Sequence, residues 1–124
     1  ITIVPMVGQN QLITLYKKAD ICFFPSYQEI GLSRVPFEAM ACGCIVFSYG
    51  YEGSDEIIRN KQTGFLVASE EYQEITNLVK EMILTPTKAI EVTHNARKSI
   101  EENYSMEKYV DEIEETLIGA LNSK

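Results

Sequence analysis

The apolar rhythm of this chain changes period several times. "ITIVPMV" opens as a strand-like run, "NQLITLYKKA" places Leu12, Leu15, Tyr16 and Ala19 on one helical face, and "DICFFPS" is a short apolar run ended by Pro25. "RVPFEAMACG" predicts a helix with Pro36 in its first turn, where a missing N–H costs nothing, and Gly43 just past its end. A buried-type strand, "CIVFSY", follows. A glycine-marked turn with a short helix, "GYEGSDEIIRN", then leads to the strand "GFLVA". Strands alternating with helices predict an α/β fold, a Rossmann-like parallel sheet flanked by helices.

The tail reads as helix throughout. "EEYQEITNLVKEMIL" repeats Tyr72, Ile75, Val79 and Met82 at helical spacing. Thr85-Pro86 fits the N-cap and first position of a second helix that runs to about Tyr104. A last helix starts from Ser105 as N-cap and keeps Met106, Val110, Ile113, Leu117 and Leu121 on one stripe, with acidic residues opposite.

With 124 residues, 45% of them hydrophobic, the chain can build one core, so residues 1–124 are expected to form one domain. It opens at Ile1 inside an apparent strand, which predicts an excerpt of a longer protein. No apolar run reaches membrane-spanning length and no signal-peptide pattern is present. Cys22, Cys42 and Cys44 are an odd set in apolar context, without the spacing of a zinc site. Buried free thiols and a cytoplasmic setting are expected. A formal charge of −7, with scattered Lys and Arg, disfavours nucleic acid as a partner.

Candidate chemistry concentrates in "PSYQEIGLSRVPFEAMACGC", residues 25 to 44. In open parallel sheets, ligands sit outside the carboxyl ends of strands, where loops enter helix N-termini. Here a strand end, a loop with Gly31 and a helix start succeed one another. Unpaired N–H groups at such a helix start suit a phosphate. A carboxylate within the same helix, Glu38, is matched by sugar hydroxyls as donors. A phosphate and a polyol together are the expected ligand chemistry.

These residues resemble the retaining glycosyltransferases of family 4, which have the GT-B architecture. "PS" at the strand end, Glu29 and "EAMACG" from Glu38 carry the resemblance. "VPMVGQNQLITLYKKADICFFPS", "GSDEIIRNKQTGFLV" and "ENYSMEKYVDEIEETL" extend it over nearly the whole chain, although Pro5 stands where glycine is common and Met106 where Trp is frequent. The resemblance implies the C-terminal, donor-binding half of GT-B, transferring a hexose from a nucleoside-diphosphate sugar to an acceptor hydroxyl with retention. It implies no cofactor and no obligatory metal. It further implies that Glu38 binds the ribose hydroxyls, that Glu29 is catalytic and contacts the transferred sugar, and that Gly31, Leu32 and Ser33 present amides to the sugar and diphosphate. Val7 would lie against the base.

Eight residues separate Glu29 from Glu38, one more than in the family. Counting from the helix puts Ile30 at the first glutamate's place; counting from the proline keeps Glu29, which is preferred because a loop absorbs an extra residue more easily than a sugar site loses a carboxylate. Arg34 could reach the diphosphate or pair with Glu38 one turn on, and the ion pair is ranked ahead. Implied partners are the nucleotide-sugar donor, an N-terminal domain that brings a carbohydrate or lipid-linked acceptor, and, through that half, the inner face of a membrane. Basic phosphate-binding residues of the family normally lie upstream.

Two other readings compete. Paired carboxylates also serve glycosidases, but the helix-terminal glycine loop favours a phosphate-bearing donor. A non-catalytic α/β nucleotide-binding module is the second; a phospho-receiver lacks support because "CFFPS" ends without Asp. Glu56 is assigned to favouring a helix start, His94 to solvent, and the dispersed tyrosines to packing.

Overall fold

The structure, a computed structural model, describes residues 2–27, 33–51, 53–68 and 70–123. Helix α1 (Gln9–Lys18) leads to strand β1 (Ile21–Phe24), helix α2 (Arg34–Ala41) to β2 (Ile45–Ser48), and the short α3 (Ser54–Ile57) to β3 (Phe65–Leu66). Three consecutive helices follow: α4 (Tyr72–Leu84), α5 (Pro86–Asn103) and α6 (Met106–Asn122). The strands form one parallel sheet in the order β1-β2-β3, with Ile21 opposite Ile45 and Phe47 opposite Phe65. This is the parallel, helix-flanked sheet with a helical tail that the alternating pattern predicts.

Period-two alternation splits the core in two. Val46 shares one cluster with Tyr16 of α1, Met40 of α2 and Ala96 and Ile100 of α5. Ile45 and Phe47 face a second cluster containing Phe65, Met82 of α4 and Val92 of α5. The Phe47 and Phe65 rings stack at 4.7 Å and 15°. Gly64 permits the tight approach of β3: a Cβ there would stand 2.9 Å from the Val46 carbonyl oxygen. Gly43, with φ of +91°, turns the chain from α2 into β2.

The opening run departs from expectation. Residues 2–7 are not a strand, and Ile3 and Met6 are 90% and 102% exposed. Pro5 removes a ladder donor, and the segment pairs with none of the three strands, so its apolar side chains have no covered face. The expected "GFLVA" strand is shortened to Phe65–Leu66. Helix starts follow the sequence more closely. Pro86 occupies the first turn of α5 after Thr85, although the Thr85 side chain makes no capping bond. The Ser105 hydroxyl caps α6 by accepting from the Lys108 amide at 3.2 Å.

All three cysteines are free; Cys44 is buried and Cys22 and Cys42 are half-buried. The Cys44 thiol donates to the Tyr16 carbonyl at 3.1 Å, and burial, with Cys22 and then Cys42 and Asp20 adding, pushes it up to about 11. Among the described residues, no helix is long and apolar enough to cross a membrane.

Candidate functional site

Helix α2 begins just beyond the loop that follows β1, at the carboxyl edge of the sheet. Ser33 is its N-cap, its hydroxyl accepting from the Val35 amide at 3.3 Å. Pro36, third in the helix, has no N–H to leave unpaired. Arg34, Phe37 and Glu38 share one face at i, i+3 and i+4 spacing. That face lines an open cleft of about 950 Å3, whose other walls include Glu56 of α3, Tyr104 at the end of α5 and Tyr109 of α6. The volume suits a ligand of cofactor size.

The far wall is held by aromatic packing. The Tyr104 ring meets the edge of Phe37 at 5.0 Å and 79°, and its hydroxyl donates to the Glu56 carbonyl oxygen at 3.5 Å. Two arginines, Arg34 and Arg59, and three glutamates, Glu38, Glu56 and Glu112, bring both charge signs into the cleft. Glu56 also sits in the first turn of α3, as its expected helix-start role requires.

Glu38 is half-buried and accepts a hydrogen bond from Gln9 Nε2 at 3.3 Å. Gln9 opens α1, two residues after Val7, so the loop expected at a base and the carboxylate expected at a ribose adjoin across 29 residues of sequence. Val7 is half-buried in a smaller hollow of about 460 Å3 with Val4, Asn10 and Leu15. Tyr16, in the core near Glu38, has its phenol pushed up to about 12 by burial, then by Cys22 and by the Glu38 carboxylate.

The expected Arg34–Glu38 ion pair is not formed: the ion pairs among the described residues are Lys88–Glu81, Arg97–Glu101 and Lys98–Glu102. Glu38 meets Gln9 instead, and Arg34 remains exposed at the helix start. Ser33, Arg34 and Glu38 come together on α2, while Val7 lines the separate hollow before α1. Glu29, Ile30, Gly31 and Leu32 lie outside the described residues. His94 is exposed on α5, as expected.

Two features escape a residue-by-residue sequence analysis. Gln9 is one, because only the docking of α1 on α2 brings it to Glu38. The tyrosines are the other: Tyr27, Tyr49 and Tyr51 are not dispersed but converge just past the carboxyl ends of β1 and β2. Burial and the neighbouring Tyr27 hydroxyl raise the Tyr49 phenol. The signal was available, since residues immediately after parallel strands gather at one edge of the sheet.

Residues 1–103 match the family described as glycosyl transferases group 1. The chain belongs to this family. The D-inositol 3-phosphate glycosyltransferase of Rhodococcus erythropolis is 29% identical over 111 residues, covering 90% of this chain and 25% of that protein. The C-terminal domain of the glycosyl transferase group 1 protein LpcC from Francisella tularensis superposes with a TM-score of 0.75 at 24% identity, covering 84% of this chain and 53% of that one. HepE of Anabaena, solved with UDP and with UDP-glucose, is similar at 27% identity over 85% of this chain and 29% of its own, with TM-scores of 0.78 and 0.75. The fold of this chain is that of a GT-B C-terminal domain. It spans about a quarter of the length of the curated relative from Rhodococcus.

Proposed function

We propose that residues 1–124 are the donor-binding domain of a retaining hexosyltransferase of family 4, which moves a hexose from a nucleoside-diphosphate sugar to an acceptor hydroxyl in polysaccharide or glycoconjugate synthesis. The observation that carries this proposal is Glu38, half-buried on α2 and hydrogen-bonded to Gln9 of the loop-to-α1 junction. A carboxylate so held can accept from two vicinal hydroxyls of a ribose, while Val7 lies against the base. The start of α2 and the Arg34 guanidinium would face the diphosphate. Charge that builds on that leaving group as the anomeric C–O bond breaks is met there by the helix dipole and the cation. Glu29 would contact the sugar being transferred, and the acceptor oxygen would form the new bond on the same face as its proton passes to the departing diphosphate oxygen.

UDP complexes of HepE support a nucleotide-sugar donor and make UDP the first ligand to test. The remaining protein would bring most of the acceptor site and the upstream basic residues, in a cytoplasmic enzyme that needs neither cofactor nor obligatory metal and that could work at the inner face of a membrane on a carbohydrate or lipid-linked acceptor. Residues 1–124 alone are then expected to fold without turning over, and transfer by this segment at the full-length rate would overturn the two-half arrangement.

Loss of a charged acceptor from a hydrogen-bonded hydroxyl pair costs roughly 1.5–3 kcal/mol. Glu38→Gln should therefore weaken UDP by about tenfold or more, read by calorimetric titration of the full-length enzyme. Glu29→Gln should leave UDP affinity nearly intact and depress the transfer rate. Unchanged affinity and unchanged rate in both variants would remove the site assignment.

A further inference from the structure

The transfer site leaves an aromatic cluster on the same sheet edge without a role. Tyr27 lies just past β1, and Tyr49 and Tyr51 lie just past β2. The Tyr27 ring stands 5.0 Å from Tyr49 and 6.0 Å from Tyr51, inclined at 45° and 35°. Phe23 buttresses Tyr49 edge-on at 5.4 Å. Yet Tyr27 and Tyr51 remain 54% and 49% exposed.

We propose that Tyr27, Tyr49 and Tyr51 form a platform on which a neutral pyranose ring of the acceptor glycan stacks. The proposal rests on the transferase assignment above. It places part of the acceptor site on this domain.

The chain that carries Tyr49 and Tyr51 is held in place before any ligand arrives. The Ser54 hydroxyl donates to the Tyr51 carbonyl oxygen at 2.8 Å and lies 2.8 Å from the Ser48 hydroxyl, which accepts from the Gly50 amide at 3.3 Å. Ser48 and Ser54 are both buried. Gly50 and Gly53 take φ of +76° and +74°, so the loop bends as few other residues could. A loop clamped this way presents its rings at little ordering cost on binding.

The chemistry of the rings selects the ligand. Their faces carry partial negative charge that attracts the C–H edge of a sugar ring, and their hydroxyls can exchange hydrogen bonds with sugar hydroxyls. The net charge of −7 disfavours a polyanion. A nucleobase is also less favoured here. Gln9 and Glu38 sit on the α1–α2 side of the sheet, whereas Tyr49 packs against the cluster on the α4 side. Donor and glycan would thus flank the same strand ends from opposite sides.

The test uses the full-length protein on an array of neutral and acidic glycans, with UDP titrated in parallel. Tyr27→Ala and Tyr51→Ala should each weaken capture of neutral glycans by about tenfold. Tyr27→Phe and Tyr51→Phe, which keep the ring, should retain most of it. UDP affinity and melting temperature should not change in any of the four. Absence of glycan capture by the unmodified protein, or capture indifferent to both alanine variants, would overturn the platform. Loss of UDP affinity in the alanine variants with glycan capture intact would reassign the rings to the nucleotide and equally overturn it. Failure of the unmodified protein to bind UDP would instead strike the donor-site assignment.

Discussion

Strand β2 and helix α6 are both written in regular apolar spacing, and they end in opposite environments. All four residues of β2 are buried, with Val46 feeding one cluster of the core and Ile45 and Phe47 the other. None of the seventeen residues of α6 is buried, although Met106, Val110, Ile113, Leu117 and Leu121 keep the stripe that their spacing predicts. Periodicity therefore identifies which face of an element is apolar. Whether that face is covered depends on what packs against it, and here only β2 has neighbours on both sides.

The contrast is most sharply tested at Phe47, fully buried and stacked on Phe65. Phe47→Ala should lower the unfolding free energy of the chain by about 3–5 kcal/mol, through lost apolar burial and the cavity left beside Phe65 under the sheet. Urea denaturation measures it. A loss below about 1 kcal/mol would mean that the site collapses freely and that β2 is no better packed than the tail.

A smaller effect is expected at Gly64, where space rather than contact is decisive. An added methyl would meet the Val46 carbonyl oxygen at 2.9 Å and Ile58 Cγ2 at 3.1 Å. The isoleucine can yield, but the carbonyl belongs to the central strand and cannot move without disturbing its ladder. Gly64→Ala should cost about 1–3 kcal/mol by overpacking, read from the same denaturation curves. A neutral outcome would show that β3 can slide away from β2.

The same contrast explains how far the sequence could be read. The order of strands and helices was legible because each core element carries its own period and its own stop signals, such as Pro25 after β1 and Gly43 after α2. "ITIVPMV" misled because strand character without a partner strand produces no sheet. At the site, Ser33, Arg34 and Glu38 were legible as one helix start, since their proximity is local in sequence. The partner of Glu38 was not: helix spacing favoured Arg34, and the fold delivered Gln9 from α1. Convergence of Tyr27 with Tyr49 and Tyr51 follows instead from the parallel pairing of β1 and β2, so it could be inferred from the strand order but not from the spacing of the tyrosines themselves.

The smallest effect on stability is expected on α6 itself. Leu117 is exposed, so Leu117→Ser removes little that folding had buried and should change the unfolding free energy by less than about 0.5 kcal/mol. Its effect should appear in association instead. The uncovered stripe is apolar surface of the kind that draws another surface onto it. The same helix carries Glu107, Asp111, Glu112, Glu114 and Glu115 against a single Lys108, so copies of residues 1–124 meeting through it repel one another at low salt. Raising the salt concentration screens that repulsion and leaves apolar attraction in place. Sedimentation of residues 1–124 should thus show association that grows with protein concentration and with salt, and Leu117→Ser should reduce it. A strictly monomeric chain under all these conditions would show that exposure of the stripe has no consequence for self-association, and the difference between β2 and α6 would then be one of stability alone.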